Sequence, residues 1–316
     1  MKLERLLLSY LKARPRDFWD LVHHFGFMPP YIQAVKNLQK RGLILVKNSR
    51  MTLTPKGRTC AEKIEPRDPE PKKLDLKLYR EIRPKMESLV KYDQLPITIQ
   101  AAIKKVNFIN KRDGLEDRAI ACLGDDDWMG IALALTELPE RVTVFDLDER
   151  VLENEKKVAE KYGLEIEAVR HDFRKPLPKK YRQKYDIFIT EPPDTLPGLL
   201  LFFSRGLELL KGAGKAGYIG VATYSLSRDK WLEFEKGLLK MGVVITDALH
   251  DFEPYEVDGK ELEWISGLPK GVNPPKKPWY YATLFRAETT QKAKPLYKGE
   301  FKTGIIEEVF ITRIKG

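Results

Sequence analysis

The stretch that decides the fold runs through four segments: Ala-Ile-Ala-Cys-Leu-Gly-Asp-Asp-Asp (119–127), Val-Thr-Val-Phe-Asp-Leu-Asp (142–148), Val-Arg-His-Asp-Phe (169–173) and Tyr-Asp-Ile-Phe-Ile-Thr-Glu-Pro-Pro-Asp-Thr (185–195). Each segment is a short apolar run that ends in acidic or small residues, and helical patterns lie between the first three. This alternation predicts an α/β fold with a parallel βαβαβ sheet, whose chemistry lies at the carboxyl ends of the strands.

Length and composition bound the class of protein. At 316 residues, 42% of them hydrophobic, the chain has room for one large domain and one small domain. Cys60 and Cys122 stand far apart without metal-ligand spacing, which argues against a disulfide framework and for a reducing, cytoplasmic setting. We find no apolar run of membrane-spanning length and no secretory leader, so we expect no membrane role.

The net charge of +10 is unevenly distributed. Residues 1–64 carry 13 Lys and Arg against 4 Asp and Glu, a net +9, and residues 289–316 carry +3. Residues 65–288 are nearly neutral at −2. A highly charged composition is also typical of thermophile, often archaeal, proteins with solvated surfaces. Because so much of the excess lies on one small module, we favour a polyanionic partner such as RNA.

The first 64 residues have the pattern of a winged helix-turn-helix. Three helical patterns precede two short strands around the turn Asn48-Ser49-Arg50. The third helix carries polar side chains suited to phosphates and base edges, namely Gln33, Lys36, Asn37, Lys40 and Arg41. A docking or dimerisation module is the alternative, and a homodimer stays open.

Composition divides the rest of the chain into three parts. Residues 65–117 form a linker and helical lead-in, which opens with the proline-punctuated, charged segment 65–73. Residues 118–290 form the predicted α/β domain, and residues 291–316 form a basic C-terminal tail. The loop 251–278 is long enough to be functional or mobile.

Acidic residues end the first three strands of the predicted sheet, a series that indicates an adenosyl cofactor. A carboxylate at the end of the second strand commonly accepts both ribose hydroxyls, and an acid with an aromatic after the third suits adenine. The predicted cofactor-binding residues are Gln94, Gly124, Asp125, Asp146, Leu147, Asp148, Asp172 and Phe173. Helix capping by Asp125–Asp127 and Asp148 is the alternative explanation. No histidine accompanies the three aspartates, so we predict no metal site.

The turn Glu191-Pro192-Pro193-Asp194 follows the fourth strand and predicts the reacting centre. The chain lacks the G-x-G-x-x-G of NAD proteins and is similar instead to S-adenosylmethionine-type transferases, whose amino-methylating members have Asp, Asn or Ser before Pro-Pro and an aromatic after it. Acidic side chains and a proline carbonyl there accept hydrogen bonds from the N–H groups of an amine. We therefore predict as catalytic residues Glu191, Pro192, Asp194 and Asp126. The chain departs from that pattern at its first and fourth positions.

A closer resemblance is to the branched-chain polyamine synthases, over roughly residues 1–290. It implies a Rossmann-like class I S-adenosylmethionine-type domain behind a winged helix, with aminopropyl transfer from decarboxylated S-adenosylmethionine to the central nitrogen of spermidine. It also implies Asp126 or a neighbour, Glu191 and Asp194 around that nitrogen. That family has Asp-Pro-Pro-Glu where this chain has Glu-Pro-Pro-Asp, and its Gly-Asp-Asp-Asp is not followed by Trp-Met-Gly. The similar motifs are Tyr-Asp-Gln (92–94), Leu-Gly-Asp-Asp-Asp (123–127), Asp-Leu-Asp-Glu-Arg (146–150), Asp-Phe-Arg-Lys-Pro-Leu-Pro (172–178), Phe-Ile-Thr-Glu-Pro-Pro-Asp-Thr (188–195) and Ala-Gly-Tyr-Ile-Gly (216–220).

Charge decides between the two substrate classes at this stage. Structured RNA is a polyanion and suits the +9 module, whereas spermidine is a polycation. We therefore predict an S-adenosylmethionine-dependent RNA amino-methyltransferase, acting on cytosine N4 of ribosomal RNA with the ribosomal subunit as partner. The alternative is a polyamine aminopropyltransferase that uses decarboxylated S-adenosylmethionine and spermidine. A non-enzymatic regulator that senses a nucleoside is a third hypothesis, but it would not need the Glu-Pro-Pro-Asp turn.

Overall fold

The structure is a computed structural model that describes residues 2–25, 28–68, 74–222, 226–256, 269, 271–273, 275–302 and 304–305. The chain divides into two compact units, Met1–Lys73 and Leu74–Gly316. Half of the predicted loop 251–278 and the end of the predicted tail 291–316 lie outside the described residues. In the part that is described, no helix is both long and apolar enough to cross a membrane.

In its described residues, the first unit combines four helices with a small antiparallel sheet of order β1-β3-β2. Its core is apolar, and Leu7 and Leu38 are fully buried there. Asn48 and Ser49 have positive φ angles, as a two-residue hairpin turn between β2 and β3 requires. The residue pattern over 16–25 predicts a single helix, but Arg16–Asp17 form the strand β1. The elements are α1 (Lys2–Ala13), β1 (Arg16–Asp17), α2 (Phe18–Phe25), α3 (Met28–Lys40), β2 (Ile44–Lys47), β3 (Arg50–Leu53) and α4 (Pro55–Cys60).

The second unit is a seven-stranded sheet between two layers of helices. Its helices are α5 (Lys77–Ile82), α6 (Ile99–Asp113), α7 (Met129–Ala134), α8 (Glu149–Tyr162), α9 (Leu196–Leu209) and α10 (Arg228–Lys240). Its strands are β4 (Ala119–Leu123), β5 (Arg141–Asp146), β6 (Ile166–Arg170), β7 (Ile187–Thr190), β8 (Ala216–Ala222), β9 (Val243–Pro254) and β10 (Tyr281–Thr289). The apolar faces of α6, α7 and α8 pack on one side of the sheet, and those of α9 and α10 pack on the other.

The sheet order is β6-β5-β4-β7-β8-β10-β9. The strands β4 to β8 pair in parallel, and only β10 runs antiparallel to its neighbours β8 and β9. The prediction of an α/β fold with a parallel-dominated sheet is confirmed. The strands β5 and β6 lie on one side of β4, and β7 and β8 lie on the other. The direction in which strands are added to the sheet therefore reverses between β4 and β7. A crevice forms at the carboxyl ends of the strands at such a point, and it is where ligands bind in open α/β sheets.

Local chemistry sets several element ends. The residue pattern over 74–90 predicts a helix, but the helix is reduced to α5, because the residue before Pro84 is driven to extended backbone and Arg83 has ψ of 123°. The pattern predicts a strand over 243–249, but β9 runs on to Pro254, since its last residues continue to pair with β10. At the start of β7, Asp186 accepts a hydrogen bond from the Ala119 N–H and pairs with two lysines of the α9–β8 region.

Candidate active site

A cavity of about 160 Å³ opens at the carboxyl ends of β4 to β7, and we call it the strand-end cavity. Eight of the twelve predicted site residues line it: Gln94, Gly124, Asp126, Asp146, Leu147, Asp172, Phe173 and Glu191. The remaining four, Asp125, Asp148, Pro192 and Asp194, lie behind or beside the lining. The structure therefore brings the acids of three successive strand ends to one place, as the sequence pattern predicts.

Asp125 and Asp148 hold the backbone around the cavity. The two carboxylate oxygens of Asp125 accept hydrogen bonds from the Met129 and Gly130 N–H groups, each at 2.7 Å. Asp148 caps α8 by accepting from the Arg150 N–H at 3.0 Å, and it also binds the Arg150 guanidinium. Gln94 donates from Nε2 to Asp148 Oδ2 at 3.0 Å. The helix-capping alternative thus describes both aspartates.

Asp146 connects two strand ends while facing the cavity. Its carboxylate accepts the Asp125 N–H at 2.9 Å and the Asp148 N–H at 2.7 Å. Burial raises the pKa of Asp146 to about 6, although these hydrogen bonds oppose the rise. The Gly124 N–H donates to the Phe145 carbonyl, and the positive φ of Gly124 lets the chain turn above the cavity. Asp146 lines the cavity, whereas Asp148 does not.

Asp172 and Phe173 form the far wall of the cavity. The Arg174 guanidinium forms a two-point contact with the Asp172 carboxylate, with Nε 3.0 Å from Oδ1 and Nη2 2.8 Å from Oδ2. These hydrogen bonds lower the pKa of Asp172, so it is a carboxylate at neutral pH. The Phe173 ring packs against Phe202 at 4.8 Å between centroids, which gives the wall an apolar surface next to a charged one.

The cavity has an acidic lining. Among the described residues that line it, the acidic ones are Asp93, Asp126, Asp146, Asp172 and Glu191, and the basic ones are Lys91 and Arg174. Burial lowers the pKa of His171, so its ring adds no positive charge at neutral pH. Burial and the adjacent Asp127 carboxylate raise the pKa of Asp126. The acidic groups outnumber the basic ones, and a cation that entered would stabilise their ionised forms, so the cavity favours cations despite the net charge of +10.

A buried group of charges lies behind Glu191, and we call it the Lys105–glutamate cluster: Lys105, Glu191 and Glu253. Lys105 Nζ lies 2.8 Å from Glu253 Oε1 and 3.8 Å from Glu191 Oε2. The closer pair has the distance of an ion pair but not hydrogen-bond geometry. The Tyr255 hydroxyl donates to Glu191 Oε1 at 2.9 Å. Burial, followed by Asp127, raises the pKa of Glu191.

The Pro-Pro turn continues into a second carboxylate. Asp194 Oδ2 accepts a hydrogen bond from the Tyr280 hydroxyl at 2.8 Å, and the Asp194 N–H donates to Asp93 Oδ2 at 3.1 Å. Pro192 is buried, and the Pro193 carbonyl accepts from the Thr195 N–H at 2.7 Å. Asp194 thus lies beside the cavity, linked to the cavity-lining Asp93.

The sequence prediction missed Lys105 and Glu253. A signal for Lys105 existed, because positions 102, 105, 106 and 109 form the i, i+3, i+4, i+7 face of α6, and a lysine interrupts that otherwise apolar face. Glu253 has no comparable signal. It reaches the cluster only because β9 continues beyond its predicted end.

Similarity to known proteins bears directly on this cavity and cluster. The family model of the branched-chain polyamine synthase A C-terminal domain matches residues 76–310, which include both. The chain belongs to the branched-chain polyamine synthase family. The N(4)-bis(aminopropyl)spermidine synthase of Thermococcus kodakarensis is 35% identical over 309 residues, covering 91% of this chain and 88% of that protein.

Solved structures agree with this membership of the polyamine synthase family. A mutein of the Thermus thermophilus branched-chain polyamine synthase, in complex with N4-aminopropylspermidine and 5'-methylthioadenosine, matches with a TM-score of 0.69 and 30% identity. The match covers 96% of this chain and 91% of that chain. A Pyrococcus horikoshii protein provisionally assigned as an RNA methyltransferase matches with a TM-score of 0.51 at 13% identity, which shows a shared Rossmann-like fold alone.

The prediction of an RNA amino-methyltransferase acting on ribosomal RNA is wrong. Relatives across most of the chain are named as polyamine synthases, and the predicted roles in RNA binding and rRNA modification fail with the methyltransferase assignment. The error came from charge. The +9 of residues 1–64 was given more weight than the acids at the strand ends, yet those acids line the cavity and would repel phosphates.

Proposed function

We propose that this polyamine synthase-family chain transfers aminopropyl groups from decarboxylated S-adenosylmethionine to a secondary amine of spermidine. The observation that carries the proposal is the acid-rich strand-end cavity with Glu191 at its edge. The names of the relatives, and the compounds bound by the Thermus thermophilus protein, support the same reaction. The products would be 5'-methylthioadenosine and a branched polyamine.

The donor fits the cavity through its adenosine. We propose that Asp146 accepts the ribose hydroxyls, and that Asp172 accepts the adenine amino group while Phe173 contacts the ring. Asp148 is given no such role because, unlike Asp146 and Asp172, it does not line the cavity; it caps α8 and binds Arg150. The decarboxylated donor carries a sulfonium and an ammonium but no carboxylate. A lining rich in acids favours that dication over S-adenosylmethionine, whose carboxylate it would repel.

The acceptor side is built for proton transfer. A secondary amine of spermidine is protonated at neutral pH, so it must give up a proton before its lone pair can attack. We propose that Glu191 takes this proton, with Asp126 and Asp194 holding the remaining positive charges of the polyamine. The nitrogen then attacks the carbon bound to the sulfonium. A C–N bond forms, and the C–S bonding electrons move to sulfur to give a neutral thioether. The raised pKa of Glu191 suits a base that acts on an ammonium.

The first unit is a separate inference. We propose that it is a winged helix-turn-helix, because three helices precede a hairpin and a small antiparallel sheet. An experimental structure in which β2 and β3 do not form a hairpin after α3 would contradict this.

The test supplies the purified protein with two donors in parallel. We expect mass spectrometry to find aminopropylated spermidine with decarboxylated S-adenosylmethionine, and no transfer with S-adenosylmethionine. Glu191→Gln should lower turnover by about a hundredfold or more, the scale for a positioned base. Its affinity for 5'-methylthioadenosine, measured by calorimetry, should stay close to wild type. Absence of any branched product from the wild-type protein would overturn the proposal.

A further inference from the structure

The Lys105–glutamate cluster contains more charge than the reaction described above uses. Lys105 and Glu253 are fully buried, and neither lines the strand-end cavity. Burial of a single unpaired charge is very costly, so each needs the other nearby. Glu191 alone belongs to both the cluster and the cavity lining.

The fold makes room for both carboxylates at one glycine. A Cβ atom at Gly220 would lie 2.4 Å from Glu191 Oε1 and 2.8 Å from Glu253 Oε2. Any other residue at this point in β8 would displace the two side chains. The pair of glutamates against one face of β8 is therefore a built feature of the sheet, and Lys105 approaches it from α6.

We propose that Lys105 and Glu253 are positioning residues: a buried ion pair that orients the Glu191 carboxylate and balances its charge. The proposal rests on the proposed function, in which Glu191 accepts the proton of the attacking amine. Lys105 lies nearer to Glu253 than to Glu191, so Glu253 takes up most of its attraction. Glu191 is thereby held as a carboxylate that can still take up a proton, rather than as one locked in a direct ion pair.

The charges that face Glu191 come from every element around it. Lys105 lies on α6, Glu253 on β9 and Asp127 in the loop after β4, with the Tyr255 hydroxyl and Asp194 nearby. Burial alone lowers the pKa of a lysine, but Glu253 and Glu191 outweigh it and raise the pKa of Lys105, which stays charged. Burial raises the pKa of Glu253, and Lys105 opposes this rise.

The signs of two substitutions follow. Lys105→Met removes the cation that favours ionised Glu191, so the proton affinity of Glu191 rises. Glu253→Gln removes a competing anion, so the proton affinity of Glu191 falls. An opposite or like charge at such distances moves a pKa by about 1–3 units. If Lys105 served only to stabilise the fold, both variants would lose stability, but the pKa of Glu191 would not move in opposite directions in the two.

The experiment measures kcat against pH with saturating decarboxylated S-adenosylmethionine and spermidine. Wild type, Lys105→Met, Glu253→Gln and the double variant are compared. We expect the acid limb of the profile to move up by about 1–3 pH units in Lys105→Met and down in Glu253→Gln. The double variant should return toward wild type. Affinity for 5'-methylthioadenosine should be equal in all four, because neither residue lines the cavity.

The outcomes separate this inference from the proposed function. Shifts in the same direction, or lower kcat without any shift, would overturn the charge-balance role. If Lys105→Met does not fold, the direction of the Glu253→Gln shift decides alone. If the wild-type protein shows no transfer activity, the proposed function is overturned. The cluster is then tested by comparing the unfolding temperatures of wild type and Lys105→Met at several pH values. Lys105→Met leaves carboxylates with further raised pKa values, so it should lose more stability than wild type as pH rises through neutral. Equal pH dependence would refute the charge balance.

Discussion

Replacing Gly220 with alanine should separate turnover from stability. An alanine Cβ would lie 2.4 Å from Glu191 Oε1 and 2.8 Å from Glu253 Oε2, whereas ordinary contact begins at 3.4 Å. The two oxygens must therefore withdraw by 1.0 Å and 0.6 Å. Both atoms are the ends of flexible side chains, so we expect a modest loss of unfolding free energy, about 1 kcal/mol. A misplacement of about 1 Å at a reacting group costs roughly a hundredfold in rate, and we expect that loss in kcat.

Gly217 on the same strand provides the matched control. A Cβ there would lie 2.3 Å from Phe188 Cζ and 2.4 Å from Phe188 Cε1, in a buried aromatic ring that cannot withdraw as easily. Gly217→Ala should cost more stability, about 1–3 kcal/mol, yet leave kcat within a few-fold of wild type.

The assays are chemical denaturation for stability and product formation by chromatography for kcat, at a temperature where both variants are folded. Wild-type turnover in Gly220→Ala would refute the positional reasoning. So would a Gly217→Ala variant that loses turnover as severely.

Four further substitutions test other parts of the second unit. Asp172→Ala should weaken 5'-methylthioadenosine binding by about 1–3 kcal/mol in calorimetry, whereas Asp148→Ala should mainly lower the unfolding temperature; equal effects on binding would contradict the assignment. Tyr255→Phe should lower kcat by about tenfold and move its acid limb upward, because a hydrogen bond to ionised Glu191 is lost; an unchanged profile would argue against it. Burial raises the pKa of Asp186, but hydrogen bonds from two lysines and the Ala119 N–H outweigh burial and lower that pKa to about 2. That depressed pKa contributes about 2 kcal/mol above its unfolded pKa of 3.8, so the stability advantage of wild type over Asp186→Asn should shrink as pH falls from about 4 to 2 in acid denaturation.

The sequence predicts the parallel part of the sheet and half of the residues that line the cavity. Strand-end acids such as Asp146 and Asp172 were found because the carboxyl ends of parallel strands meet at one edge. The insertion of β10 between β8 and β9 was not predicted, because the hydrophobic periodicity of a segment identifies a strand but does not specify its neighbours in the sheet. Glu253 depends on that insertion, so it could not be found either.

Charge was the least reliable guide to the substrate. The module of residues 1–64 dominates the net charge, but a cation at the cavity responds mainly to groups within about one Debye length, about 10 Å at 0.1 M salt. Asp126 and Glu191 are in that range because they line the cavity. An acidic residue at a strand end can also be there to cap a helix rather than to bind a ligand, as Asp148 does at α8.

The position of β10 has a consequence for the order in which the enzyme assembles. The strands β4 to β7 pair directly with one another, so the wall that receives adenosine needs neither β9 nor β10. The strand β9 joins the sheet only through β10, and Glu253 pairs in register with Ala282 across a long intervening segment. Because β9 can join the sheet only after β10 has paired with β8, we expect interrupted refolding to recover 5'-methylthioadenosine binding before aminopropyl transfer. A newly made chain would then capture its donor before Glu253 joins the cluster that orients the base, Glu191.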